Sequence, residues 1–135
     1  MLLHKTEIRV RYADTDQMHI VYNGKYFEYF EVGRTEMLRE NGLPYSLIES
    51  NGYLLPVLET GARYLSPALY DDLLIVESSV NEKPEFRIHI NYRIFRKSDN
   101  LAIAEGFTEH VFINKETRKP IRPPDFFIYA MKPFF

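Results

Sequence analysis

The stretch Val21-Tyr22-Asn23-Gly24-Lys25-Tyr26-Phe27-Glu28-Tyr29-Phe30-Glu31-Val32-Gly33-Arg34-Thr35-Glu36-Met37-Leu38-Arg39-Glu40-Asn41-Gly42 decides the fold. Tyr22, Tyr26, Phe30, Gly33 and Met37 recur at steps of three and four, with Phe27, Tyr29 and Leu38 beside them. Glu28, Glu31, Arg34 and Arg39 fall largely off that stripe. The pattern predicts a helix of about five turns with a wide apolar face. Asn41-Gly42 ends it, because glycine accepts the left-handed conformation that follows a helix. Gly33 costs ~1 kcal/mol relative to alanine inside a helix, so its place on the stripe points to a backbone packed close against it.

On both sides of this helix the period falls to two. Upstream, Ile8, Val10 and Tyr12 alternate with Glu7, Arg9 and Arg11, which predicts a half-buried strand over Thr6–Tyr12. Downstream, Pro44 to Ser50 reads as a short second helix and Leu54 to Leu65 as a β-type run broken by Pro56 and Gly61. Leu73–Val80, Phe86–Lys97 and Leu101–Ile113 read as further strands, separated by turn residues. Pro120 to Pro124 cannot be a central strand, and Asp125 to Phe135 is a short amphipathic tail. The order β-α-(α)-β-β-β-β, with short turns between later strands, predicts an α+β domain over residues 1–135. Its antiparallel sheet wraps around one long central helix, with successive strands as neighbours. Long strand edges favour a second copy of the chain.

Composition narrows the function. Seventeen Lys and Arg against nineteen Asp and Glu give a net charge of −2, with none of the basic excess of a nucleic-acid module. No cysteine is present, which removes disulfides, thiolate metal sites and cysteine nucleophiles. His4, His19, His89 and His110 lack ligand spacing, and Asp14 with Asp16 alone makes a poor metal site, so no metal or other cofactor is expected. No apolar run reaches the ~20 residues of a membrane helix. The charged start, Met1 to Arg11, is unlike a signal peptide, so a cytoplasmic location is expected. Ten Tyr and ten Phe with no Trp suit a dense core, an interface or an apolar ligand groove.

One dense polar constellation remains, Tyr12-Ala13-Asp14-Thr15-Asp16-Gln17-Met18-His19-Ile20-Val21-Tyr22-Asn23. It bridges a strand end and a helix start. Free N–H groups at a helix N-terminus can hold a developing oxyanion, and a carboxylate just before it can act as base or nucleophile. Asp also caps helices and turns, and spacing alone leaves both readings open.

Arg11 to Asp16, Ile20 to Phe27 and Phe30 to Arg34 resemble the hotdog-fold acyl-CoA thioesterases, in the 4-hydroxybenzoyl-CoA thioesterase and YbgC-like branch. Gly42-Leu43-Pro44, Leu55 to Glu59, Arg63 to Ala68, Tyr70-Asp71-Asp72 and Ala104-Glu105-Gly106 extend the resemblance in order, from about Glu7 to Pro123. The resemblance implies hydrolysis of a thioester on coenzyme A or acyl-carrier protein. It implies that Asp16 is the catalytic carboxylate, attacking the carbonyl or activating water. It places the oxyanion donor at the backbone N–H of Asn23 or of Tyr22, and sets Tyr12 beside the catalytic Asp. YbgC-like members carry histidine where this chain has Asn23; asparagine hydrogen-bonds but transfers no proton near neutral pH. Sites in the family are built between subunits, which implies a homodimer or a tetramer made from it.

Weaker candidates surround these. Tyr22 and His19 could line the substrate pocket. Glu59 interrupts an apolar strand, where it must pair, with Arg63 for instance, or face a site. Lys83, Arg87, Arg118, Lys119 and Arg122 are the cations available to coenzyme A phosphates. Two other readings keep the fold. Asp14 and His19 have the D-x4-H spacing of hotdog enoyl-CoA hydratases, and a non-catalytic acyl-CoA binding module would use the same scaffold.

Overall fold

The computed structural model describes all residues 1–135. One helix, α1 (Lys25–Glu40), lies against an antiparallel sheet of seven strands. These are β1 (Leu2–Arg9), β2 (Tyr53–Leu54), β3 (Val57–Tyr64), β4 (Leu73–Val80), β5 (Arg87–Arg96), β6 (Ala102–Asn114) and β7 (Pro120–Ile121). The short α2 (Tyr45–Ser50) follows α1, and α3 (Asp125–Met131) closes the chain. The main path runs β1-β4-β5-β6, with β3 on the far side of β6. β2 continues β3 along β6, and β7 pairs β6 at Phe112–Ile113, beyond the end of β5. The expected sheet around a long central helix is what the chain forms.

The core forms where the two periodicities meet. Tyr26, Tyr29, Phe30, Gly33, Met37 and Leu38 are the buried residues of α1. Ile88, Ile90, Tyr92 and Ile94 of β5 point inward, while Arg87, His89 and Arg93 face solvent. Phe30 stacks on Tyr92 with ring centroids 4.5 Å apart, joining helix to sheet. The close approach expected at Gly33 is real. A Cβ there would sit 2.5 Å from Ser78 Oγ and 2.7 Å from Val76 Cγ1 of β4. Gly42 takes φ 76° at the end of α1, the left-handed conformation predicted for it.

Several boundaries differ from the sequence reading, each for a local reason. β1 runs Leu2–Arg9, not Thr6–Tyr12. Val10 leaves the strand to bond Asp72, and Asp14 Oδ2 accepts the Arg11 amide, curling Tyr12–Asp14 into a single tight turn. α1 begins at Lys25, not Val21, because the Val21 and Tyr22 amides are committed to Ala68 O and Asp14 O. Tyr22 therefore leaves the apolar stripe and is 53% exposed. The run from Leu54 to Leu65 splits into β2 and β3 at Leu55-Pro56, where proline has no N–H for the ladder. β3 and β4 are consecutive in the chain but not neighbours, since β3 pairs β6 and β4 pairs β1 and β5.

Candidate active site

The loop from Asp14 to Asn23 is built on a buried carboxylate. Asp14 is 2% exposed and accepts hydrogen bonds from the Tyr29 hydroxyl at 2.8 Å, the Arg11 amide at 3.1 Å and Arg11 Nη2 at 3.1 Å. Lys25 Nζ stands 3.7 Å away. Burial alone raises the pKa of Asp14. The bonds from Tyr29 and Arg11, with the Arg11 charge, outweigh it and hold the carboxyl below its ordinary value. Tyr29 responds in the opposite sense: burial and its bond to the carboxylate push its hydroxyl pKa far up. The Asp14 carbonyl also accepts the Tyr22 amide at 2.9 Å. Asp14 is thus the anchor of the loop.

Asp16 is placed differently. It is half-buried; its Oδ1 accepts the Met18 amide at 2.8 Å in a tight turn, and Oδ2 has no hydrogen-bond partner in the chain. Ile20 and Asp16 close the loop through Asp16 N–H to Ile20 O at 2.9 Å. The side chain borders a pocket of about 360 Å³, together with Asn23, Tyr26, Tyr64 and the Ser66-Pro67 turn. This is the N-terminal end of α1. The Lys25 amide bonds Tyr22 O at 2.9 Å, and the Asn23 and Gly24 amides donate to no group in the chain. Asp16, with one carboxylate oxygen free, and Asn23, with its amide free, border the same pocket.

Tyr64 completes the wall. Its hydroxyl donates to Asn23 O at 3.0 Å, and its ring lies 5.4 Å from that of Tyr26. Burial pushes the Tyr26 hydroxyl up to about 12, so it stays protonated and neutral beside the pocket. Tyr29, Tyr64 and the Gly24 amide were not singled out in the sequence. In the sequence Tyr29 belongs to the apolar stripe and Tyr64 to a β-type run, and neither pattern marks a place at the pocket.

The other sequence candidates lie elsewhere. The Tyr22 amide is occupied by Asp14, which removes it as an oxyanion donor, and its side chain is outside the pocket lining. Tyr12 is 76% exposed, packs edge-on against Tyr70 at 5.8 Å and does not line the pocket that Asp16 borders. His19 is exposed with φ 63° and does not line the pocket. Its side chain makes no bond to Asp14, which is fully engaged with Tyr29 and Arg11. The D-x4-H pair is therefore not assembled. Glu59 is exposed beside a β-bulge in β3, and Arg63 pairs with Glu105 at 3.5 Å instead. Lys83 is on the rim of a separate cavity with Lys132 and Phe135. No group of three or more His, Cys, Asp or Glu side chains is placed to hold a metal ion.

Comparison with known proteins gives the family. The model of the thioesterase-like superfamily matches residues 10–131. A Bacillus subtilis protein named "Putative acyl-CoA thioesterase YneP" is 36% identical over 90% of this chain and 88% of its own length. Acyl-CoA thioesterase YbgC of Haemophilus influenzae is 31% identical, over 87% of this chain and 85% of its own. The solved structure of a DHNA-CoA thioesterase from Staphylococcus aureus superposes with a TM-score of 0.93 at 30% identity, covering 99% of this chain and 91% of that one. The chain belongs to the thioesterase-like superfamily, as a hotdog-fold thioester hydrolase of the acyl-CoA thioesterase type.

Proposed function

We propose that the chain hydrolyses acyl-CoA thioesters, with acyl-carrier-protein thioesters as the second carrier, using Asp16 and the Asn23 N–H. The observation that carries this reading is the shared pocket: Asp16, whose Oδ2 is free, and Asn23, whose amide is free, line one space at the start of α1. The thioester carbonyl oxygen accepts from the Asn23 N–H, where the positive end of the helix dipole stabilises charge as it develops. Asp16 then either takes a proton from water as the water oxygen attacks, or attacks the carbonyl carbon itself. In the first route the C–S bond breaks, the leaving thiolate takes the proton that Asp16 removed from water, and a free acid remains. In the second the thiolate leaves an acyl–Asp16 anhydride, which a water then cleaves to the free acid and the regenerated carboxylate, its other proton going to the thiolate. Asp14 positions this loop and takes no proton.

Residues 1–135 act as one catalytic unit in the cytoplasm, as a homodimer or a tetramer built from it. Supporting the second copy, β3 pairs only with β6, which leaves its other edge unpaired, and the strand carries the exposed Val57, Leu58 and Tyr64. Exposed Tyr12 then meets substrate only if that copy covers it. No helix is long and apolar enough to cross a membrane.

The test is thiol release from short, long and aromatic acyl-CoAs. The expected result is saturable release from at least one class. Binding of acyl-CoA with no release from any class would mark a binding module instead.

A further inference from the structure

Beside the second half of α1 lies another cavity, of about 440 Å³, between the helix, the Leu55–Val57 link and β6. It shares no residue with the pocket at Asp16. A cation without a counter-ion and a buried ring nitrogen without a partner meet there. Arg34 is half-buried and takes part in none of the chain's ion pairs; even Glu31, one turn back on the same cavity, is outside pairing distance. His110 is fully buried, and its Nδ1 has no hydrogen-bond partner. The carbonyls of Leu55 and Pro56 face the ring without completing a bond to it.

A relay of hydroxyl groups fixes which ring nitrogen carries the proton. The Arg34 guanidinium is aimed at the Tyr92 hydroxyl, which lies 2.7 Å from Thr108 Oγ1; that oxygen lies 2.7 Å from His110 Nε2. A guanidinium only donates, so the Tyr92 oxygen accepts from it and turns its own proton to Thr108. Thr108 then donates to Nε2, and the imidazole proton resides on Nδ1. Burial, with the charge of Arg34, lowers the His110 pKa to about 4, so the ring is neutral at pH 7. Leaving a buried donor and a half-buried cation unmatched costs free energy that an anionic acceptor would return.

We propose that this cavity binds a carboxylate carried on a small apolar body, with Arg34 and the His110 Nδ1–H as its donors and Leu38, Leu55 and Val57 around the body. Two sources share that chemistry: a free carboxylic acid, or the far end of an acyl group that carries a second carboxylate. The second source rests on the proposed thioester hydrolysis; the first does not.

The experiment uses the full chain, with histidine ring nitrogens observed by NMR, and hexanoate as probe against uncharged hexanamide. In the free protein His110 shows a protonated Nδ1 and a bare Nε2. Hexanoate shifts the His110 signals saturably, hexanamide binds at least about tenfold more weakly, and Arg34→Gln weakens hexanoate by a similar factor, the scale of one lost charge-assisted hydrogen bond. Turnover of adipoyl-CoA and hexanoyl-CoA separates the sources. A KM about tenfold lower for adipoyl-CoA, lost in Arg34→Gln, assigns the site to the acyl group; equal KM values with hexanoate bound assign it to the free acid. Hexanoate binding without thiol release from either thioester sustains the cavity and overturns the thioesterase reading. Absence of both a hexanoate shift and a KM preference, equal binding of hexanamide, or hexanoate binding indifferent to Arg34→Gln overturns the proposal.

Discussion

The Tyr29 hydroxyl donates to Asp14 Oδ2 across 2.8 Å, tying the second turn of α1 to the loop that carries Asp16. Asp14 and Asp16 are two residues apart but differ in kind: one carboxylate is buried and saturated with donors, the other keeps an oxygen free at a pocket. The fold anchors the loop with the first and presents the second.

Tyr29→Phe removes the donor and leaves the buried carboxylate short of a partner, which costs about 1–3 kcal/mol. A depressed carboxylate pKa contributes stability that is full above its unfolded value, 3.8, and is lost as pH falls through the folded value. The variant therefore unfolds at lower urea concentration at pH 7, and less of its stability is lost on going to pH 3. Denaturation curves at the two pH values check this; equal losses in both proteins would remove Tyr29 as the anchor's partner.

Gly33→Ala forces a Cβ against Ser78 Oγ and Val76 Cγ1 at 2.5 and 2.7 Å. α1 must lift from β4, and overpacking of this kind costs about 1–3 kcal/mol in spite of alanine's better helix propensity. A thermal melt should show the loss. A stabilised variant would mean that helix and sheet do not pack as closely as described.

His110 gives the acid side of the stability curve its slope. Its folded pKa of about 4 lies below the ordinary 6.5, so between these values the unfolded chain binds a proton that the fold refuses. Stability from this group is full above 6.5 and is lost as pH falls toward 4, by roughly 2 kcal/mol or more. His89 acts in the opposite sense. Burial works against its charged form, but bonds to Glu109 and Asn91 prevail and raise its pKa, so its contribution is present below 6.5 and lost as pH rises through the folded value. His110→Gln flattens the decline between pH 6.5 and 4 in urea titrations; an unchanged slope would place a charged His110 in the fold.

The central helix, the later strands and the Asp-rich loop were legible in the sequence because each follows from a local rule. Tyr26, Phe30, Gly33 and Met37 keep helical spacing, and Ile88 to Ile94 alternate. What escaped depends on contacts between distant segments. The start of α1 moved to Lys25 because Ala68 and the Asp14 carbonyl claim two amides, and no local pattern announces such bonds. The β3 strand passes over β4 to pair β6, a choice of partner that short turns do not encode. For the site, Asp16 and Asn23 were named and reach one pocket, whereas Tyr64 enters it from a strand forty-one residues further on. The relay from Tyr92 through Thr108 to His110 joins two paired strands, and no local pattern in the sequence links the three residues.

Asn23 is the second residue of a turn closed by Lys25 N–H to Tyr22 O at 2.9 Å, a position where proline is favoured. Asn23→Pro therefore folds but lacks the amide, and turnover falls by about 10²–10³-fold. Asn23→Ala keeps the amide and loses little. If both variants are equally impaired, the side chain takes part in the chemistry; if the folded proline variant keeps full turnover, the Gly24 amide is the donor in its place.

The most direct measurement is steady-state thiol release by Asp16→Asn beside Asp14→Asn, each first shown to be folded by circular dichroism. With Oδ2 of Asp16 as base or nucleophile, Asp16→Asn loses at least about 10²-fold in kcat with its fold intact. Asp14→Asn instead loses stability, and its folded fraction retains most of its turnover. Near-normal kcat in a folded Asp16→Asn variant would contradict the account.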